Sequence, residues 1–511
     1  MRIAFRTDAS STIGHGHVRR CLTLAAALRE HGHAVRFICR EHAGNLCDAV
    51  ARQGFAVDRL PLRLSAPAGG DDGYASWLGA PWREDAHETL AAVRAGGSRP
   101  EWLVVDHYGI DARWERAVRS DVNRIMAIDD LANREHDCEL LLDQNLVAGM
   151  ERRYQGRVPS SCVQLLGPQY CLLAAAYGTL RQRTAPRTGP IRRILVSYGG
   201  ADSGELTALT LAAIVRLGGA IAVDAVVSGS ASRAAGVRER FAAHGNIRVH
   251  DAGDSLASLI AQADLGIGAS GTTTWERLCL GLPAIVVTVA DNQRPIAEEL
   301  ARRGLIHWLG HSDAVDEQRM FDLLARLVAA GADEDASRRA LALVDGNGAD
   351  RVRAALTVDE SAELRPRRMT AADEALVLEW ANDPGTRANS FSAEQISAAA
   401  HHAWFVDRLS QPQRCRPYVF ETPAHIPIGQ VRFDRIEGGW RVNYSVAAHL
   451  RGRGLGRRIM QLALRQLGEE EPGAMVLAQV KHDNVASHRV FESLGFQPQR
   501  SAAAVDYRLW L

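Results

Sequence analysis

The sequence predicts two consecutive α/β domains, each a parallel sheet wound with helices on both faces, followed by a smaller α+β domain. Three observations carry this. At 511 residues the chain is too long for one hydrophobic core. Up to about residue 355, short β-branched runs alternate with amphipathic helical stretches. Beyond that point the order changes, and helices come first with a run of strands after them.

Taken in order, Ile3–Thr7, Ala34–Cys39, Trp102–Asp106 and Arg124–Ile128 read as buried strands, each ending near Asp, Gly or His. After the polar, Pro-containing stretch Arg181–Pro190 the pattern restarts. Ile194–Tyr198, Ala222–Val227, Ile247–His250, Leu265–Gly268 and Ala284–Val289 form the second set of strands. Helical segments such as Arg20–His31 and Thr273–Leu280 separate them. The expected result is two Rossmann-like domains (1–185 and 186–357) facing a cleft, with ligands at the C-terminal ends of the strands. Asp335–Val344 and Ala349–Leu356 read as helices around the turn Gly346-Asn347-Gly348, and Thr357–Arg368 is expected as a linker. The third domain (364–511) opens with helices Ala371–Asn382 and Ala393–Leu409. Strands Tyr418–Glu421, Ile426–Asp434, Trp440–Val446 and Met475–Val480 follow, expected to be antiparallel.

Sixty basic and sixty acidic side chains cancel, so no overall field attracts nucleic acid or a membrane surface. The eight cysteines include no C-x-x-C pair and sit mostly in apolar runs, as free thiols in a reducing compartment do. The N-terminus is charged too early for a signal peptide, and no apolar run approaches the roughly 20 residues of a membrane span. A cytoplasmic protein is expected. The 18 histidines include no H-E-x-x-H, and no metal is expected.

Strand Ile3–Thr7 runs into Asp8-Ala9-Ser10-Ser11-Thr12-Ile13-Gly14-His15-Gly16-His17 and then a helix near Val18. Gly14 and Gly16 let backbone approach a ligand, and a helix start favours an anion such as a diphosphate. His17 reads either as a base facing the cleft or as a capping or core histidine. The second half supplies Ser197-Tyr198-Gly199-Gly200-Ala201-Asp202 and Gly268-Ala269-Ser270-Gly271-Thr272-Thr273-Thr274-Trp275-Glu276. There Ser270, Gly271 and Thr272 suit a diphosphate, and Glu276 is placed to accept from ribose hydroxyls. Asn292 and Gln293, in Asp291-Asn292-Gln293, face the sugar or cap a helix.

Together Phe5-Arg6-Thr7-Asp8, Gly14-His15-Gly16-His17-Val18-Arg19-Arg20, Asp106-His107-Tyr108-Gly109, Asp129-Asp130 and Asp143-Gln144-Asn145 resemble the PseG (SpsG-like) family over residues 1–355. Leu166-Gly167-Pro168-Gln169-Tyr170, Gly199-Gly200 and Asp291-Asn292-Gln293 fit it too. The resemblance implies the two-Rossmann GT-B fold of MurG-type glycosyltransferases. It also implies hydrolysis of UDP-2,4-diacetamido-2,4,6-trideoxy-β-L-altropyranose in pseudaminic acid biosynthesis, a route to flagellin glycosylation. By the same resemblance His17 is the base, Tyr108 the cleft tyrosine, and Asp8, Gly14, Gly16, Gly200, Ser270, Gly271, Thr272, Glu276, Asn292 and Gln293 bind substrate. One departure is recorded: Leu172-Leu173 is followed by Ala174 where the family usually has Arg.

Trp440–Val446 is followed by Arg451-Gly452-Arg453-Gly454-Leu455-Gly456-Arg457-Arg458 and an apolar helix. This fits the Q/R-x-x-G-x-G/A diphosphate loop of GNAT acetyltransferases. Asn484-Val485-Ala486-Ser487 and Phe491-Glu492-Ser493-Leu494-Gly495-Phe496 resemble their second signature. The resemblance covers 364–511 and implies acetyl-CoA as co-substrate. It would be held by Val446, Arg451, Gly452, Arg453, Gly454, Leu455, Gly456, Arg457, Asn484 and Ser487. Phe491 stands where many members carry a tyrosine acid, and His482 and Tyr444 are the substitutes considered. The fusion implies that a PseH-like step acetylates the 4-amine of the UDP-amino sugar, whose product the first domains hydrolyse. Expected partners are therefore a UDP-sugar and acetyl-CoA, with other enzymes of the same pathway. Alternatives are a MurG-like glycosyltransferase, a silent UDP-sugar-binding module, or an acetyltransferase acting on protein amines.

Overall fold

The computed structural model describes residues 1–63, 73–199, 204–218, 221–227, 231–251, 256–423 and 425–511, the side chain of Ala231 excepted. The chain divides into two compact units, Met1–Val352 and Arg353–Leu511.

The first unit holds two parallel sheets. One comprises β1 (Arg2–Thr7), β2 (Ala34–Arg40), β3 (Ala56–Leu60), β4 (Trp102–Asp106), β5 (Arg124–Ile128), β6 (Leu140–Asp143) and β7 (Val163–Leu166), ordered β3-β2-β1-β4-β5-β6-β7. The other comprises β8 (Arg193–Ser197), β9 (Ala222–Val227), β10 (Ile247–Asp251), β11 (Leu265–Ala269), β12 (Ala284–Thr288) and β13 (His307–His311), ordered β10-β9-β8-β11-β12-β13. Both orders reverse at the first strand, the switch point where open α/β sheets bind ligands. The central strands β4, β11 and β12 are buried at every residue, because helices cover both faces. Sequence pattern missed β3, β6, β7 and β13. Two are only four residues long, and β13 (His-Trp-Leu-Gly-His) has no apolar run.

The second unit carries β14 (Arg365–Arg368), β15 (Cys415–Glu421), β16 (Pro427–Ile436), β17 (Gly439–Val446), β18 (Met475–Val480), β19 (Gln497–Arg500) and β20 (Val505–Trp510), ordered β14-β15-β16-β17-β18-β20-β19. Two expectations are corrected here. Thr357–Arg368 is not a free linker: Val358 and Leu364 are buried in this core and Arg365–Arg368 is an edge strand, a place that tolerates Pro366. The sheet is also not wholly antiparallel. β17 and β18 pair in parallel, over Trp440↔Val476 and Arg441↔Leu477 only, and then part.

All eight cysteines are buried free thiols. Among the described residues no helix is long and apolar enough to cross a membrane.

Candidate active sites

In the first unit, β1 and β4 lie side by side with Thr7 opposite Asp106, so their C-terminal ends open at one place. The helix Gly16–Glu30 starts there and sets His17 in its first turn. His17 Nδ1 lies 2.6 Å from Asp106 Oδ1, while Arg20, one turn on, donates from Nε to Asp106 Oδ2 at 2.6 Å. Arg20 also reaches Asp130 Oδ2 at 3.0 Å. Burial alone would raise the Asp106 carboxyl, but Arg20 and His17 outweigh it and hold it well below the usual carboxylate range. The carboxylate favours the Nδ1–H tautomer, the arrangement a general base at Nε2 needs, although Arg20 Nη2 also lies 3.2 Å from Nδ1.

Around this pair stands an aromatic wall. The Tyr108 ring meets His17 edge-on at 4.6 Å, Trp77 stacks on Tyr108 at 5.5 Å, and Tyr74 closes the group at 5.1 Å from Tyr108. Gly109 permits it, since a Cβ there would press on the Tyr74 carbonyl at 2.8 Å. Burial, with Asp130 beside it, pushes the Tyr108 hydroxyl up, so it stays protonated at neutral pH and can donate a hydrogen bond. Beneath the loop lies a closed charge network. Arg6 donates to Asp8 and Asp85, Arg40 to Asp85, and Trp114 Nε1 to Asp85. Removing one member of such a buried set costs about 3–5 kcal/mol.

The structure sorts the expected residues. Gly16 and Thr272 are brought together, a Cβ on Gly16 lying 3.9 Å from Thr272 Oγ1, so two helix starts converge on the space beside His17. Gly14 takes a positive φ of 79°, and Gly271 caps the helix Thr272–Cys279 without a side-chain bond. The Ser270 hydroxyl is buried and has no hydrogen-bond partner. Asp8 is fully buried; its Oδ1 accepts from Arg6 and from the Arg40 backbone N–H, anchoring the loop, and its Oδ2 has no hydrogen-bond partner. Glu276 is half-buried, its carboxyl raised by burial beside the Tyr177 hydroxyl. Asn292 is exposed, and Gln293 accepts the Val289 N–H. Gly200 lies outside the described residues. Sequence reasoning gave no role to Asp106, Arg20, Asp130, Tyr74 or Trp77. An acid ending a buried strand, and an arginine three residues from His17 on one helix face, were the available signals for the first two.

In the second unit β17 leads into the loop Arg451–Gly454 and the helix Leu455–Glu470. Gly452 and Gly454 both take φ of 76°, and the helix start has no side-chain cap from its N-cap residue, the kind of end that attracts an anion; the Glu360 carboxylate lies against it, where a Cβ on Gly454 would meet Oε2 at 2.5 Å. Beyond Arg441, β17 is unpaired on its β18 side, which offers backbone groups to an extended ligand. These features fit the diphosphate and pantetheine arm of CoA. Arg451 is exposed but engaged: it pairs with Asp383 at 2.6 Å and donates to Thr386 Oγ1 and the Val446 carbonyl, bracing the loop. Arg457 is exposed and Arg453 half-exposed beside the loop, while Leu455 and Val446 are buried. Asn484 caps its own helix by accepting the Ser487 N–H at 3.1 Å. Phe491 is buried against Phe496, Tyr507 and Tyr444. Tyr444 hydrogen-bonds Ser487 Oγ at 3.1 Å, and its ring abuts Gly456. His482 instead meets the Ser501 carbonyl.

Residues 363–497 match the acetyltransferase (GNAT) domain family, which fixes the class of the second unit. Over 306 residues, 60% of this chain and 97% of the relative, the chain is 24% identical to the UDP-2,4-diacetamido-2,4,6-trideoxy-beta-L-altropyranose hydrolase of Campylobacter jejuni. It is 21% identical, over 97% of both chains, to an uncharacterized protein of Methanocaldococcus jannaschii. Among solved structures, MurG of Acinetobacter baumannii is similar over 69% of this chain and 97% of its own, at 12% identity and a TM-score of 0.47. The chain thus combines a region related to a UDP-sugar hydrolase with an acetyltransferase domain.

Proposed function

We propose that the chain is a bifunctional nucleotide-sugar enzyme of the pseudaminic acid kind. Residues 1–185 activate water, 186–357 hold the nucleotide, and 364–511 acetylate. The first activity is hydrolysis of UDP-2,4-diacetamido-2,4,6-trideoxy-β-L-altropyranose to UDP and the free sugar. The second is acetylation of the 4-amino group of the UDP-amino-sugar precursor. The observation that carries the first is the His17–Asp106 pair with Nε2 free, beside two converging helix starts. Nε2 takes a proton from water as the water oxygen bonds to the anomeric carbon. The bond from that carbon to the UDP oxygen breaks, and UDP leaves with the electron pair. Helix-start amides stabilise the diphosphate, so no strong acid is required.

For the second activity, acetyl-CoA supplies the activated acyl group. The chain holds the diphosphate at the Gly452–Gly456 amides and the arm along unpaired β17. The 4-amine nitrogen bonds to the acyl carbon and the carbon–sulfur bond breaks; the nitrogen gives up a proton to solvent, and Tyr444, kept protonated by burial although Ser487 opposes the shift, gives one to the departing thiolate in place of the missing tyrosine at Phe491 and regains it from solvent. The setting is the cytoplasm, where both nucleotide substrates are made.

The test gives full-length protein UDP-4-amino-4,6-dideoxy-N-acetyl-β-L-altrosamine with and without acetyl-CoA, following CoA and UDP release. CoA release followed by UDP release, with only UDP lost in His17→Ala, is expected. CoA without UDP from the wild type overturns the hydrolase reading for this sugar.

A further inference from the structure

Arg277 follows Glu276 in the helix Thr272–Cys279 and is 3% exposed. Its Nη2 donates to the Ala269 carbonyl at 2.8 Å and to Thr274 Oγ1 at 3.1 Å, and Nε has no partner. It forms no ion pair among the described residues, and its neighbour Glu276 turns to Tyr177. Strand β11 leaves room for it: a Cβ at Gly266 would meet Arg277 Cδ at 2.9 Å, while one at Gly268 would meet first the Ser197 carbonyl of β8 at 2.0 Å and then Arg277 Nη1 at 2.7 Å. Burial lowers the guanidinium to about 10, so it stays charged at neutral pH. A buried cation that is attracted by Glu276 but closed into no ion pair weighs against the empty fold, and Gly266 leaves room for its side chain. Directly above, the loop Ala269–Thr272 presents the unpartnered Ser270 hydroxyl and the uncapped helix start.

We propose that Arg277 is the positioning residue that makes this loop select a nucleoside diphosphate over the nucleoside. It acts from beneath, holding the Ala269 carbonyl and Thr274 while its charge, which no ion pair closes off, favours the anion. This rests on the loop being the diphosphate site of the proposed hydrolase. Salt screens a buried charge little, so its field persists at the ligand.

The experiment measures UDP and uridine affinity, and the thermal midpoint of the ligand-free chain, for wild type, Arg277→Met and Arg277→Gln. Arg277→Gln keeps a donor for the Ala269 carbonyl and removes only the charge. Both variants are expected to weaken UDP by about tenfold or more and to leave uridine unchanged, with a thermal midpoint equal to or above wild type. Arg277→Lys, which restores charge, recovers most of the UDP affinity. Equal loss of UDP and uridine, or full UDP affinity in Arg277→Gln, overturns the proposal and makes Arg277 a strut. A wild type that binds neither ligand overturns the reading of the loop itself.

Discussion

Two helix starts in this chain receive phosphate in our reading, and they are built in opposite ways. At Ser270–Thr272 the cation is buried below the loop and the loop itself is neutral, all glycine and hydroxyl. At Arg451–Arg458 the arginines stand on the loop; one, Arg451, is spent on bracing, while Arg457 faces solvent. The same division runs through the groups proposed to be catalytic. His17 is locked by Asp106 and Arg20 in a buried carboxylate network, whereas Tyr444 depends on a single hydroxyl partner. A buried, paired site is set before ligand arrives and is fragile to the loss of one partner. A wetter site on a helix end tolerates change and responds to salt.

The sharpest way to break the comparison is at His17. His17→Ala is expected to lower UDP-sugar hydrolysis by about 10²–10⁴-fold while acetyl transfer is untouched. Asp106→Asn, which keeps the shape but lets Nδ1 accept instead of donate, should cost about a hundredfold or more. If Asp106→Asn hydrolyses at the wild-type rate, the tautomer argument fails. In the other unit, Tyr444→Phe should reduce the acetyl-transfer rate by about tenfold without changing acetyl-CoA affinity. An equal fall in affinity would make Tyr444 a packing residue against Gly456.

What was legible in the sequence follows the same contrast. Strands buried on both faces announced themselves, as Trp102–Asp106, predicted to the residue, shows. Glycine loops before helices were visible because only backbone freedom is needed there. Interactions distant along the chain were not. Nothing local says that Asp106 meets His17 across 89 residues, or that Asp8 is held by Arg6 and the Arg40 backbone. Trp77 was hidden because it sits in a single helical turn, Ala75–Leu78, too short to show a period. Pro366 suggested a linker because pattern reading cannot see that an edge strand spares its missing N–H.

A buried histidine without a partner sharpens the point. His401, in the helix Ala398–Ser410, is 2% exposed and neither ring nitrogen has a hydrogen bond; its ring stacks on Phe405. Burial lowers its pKa, with Glu374 opposing. The unfolded chain then binds the proton more tightly, so this unit loses stability as pH falls below the ordinary histidine value of about 6.5. His401→Phe should stabilise the second unit by about 1–2 kcal/mol, more at pH 5 than at pH 8, read from the unfolding transition that acetyl-CoA shifts. A gain independent of pH would assign the effect to packing alone.

The smallest effect tests the contrast between the loops directly. Exposed charges weaken within a Debye length as salt rises, and buried ones much less. Between 50 and 300 mM salt, acetyl-CoA affinity should fall by about threefold more than UDP affinity, each measured on the same full-length protein. Arg457→Ala should remove part of that excess, because its side chain is exposed and unpaired among the described residues. Equal salt slopes would mean that the diphosphate over Arg277 is held by screened surface charge after all. The buried cation would then be supporting the strand–helix junction rather than selecting the ligand.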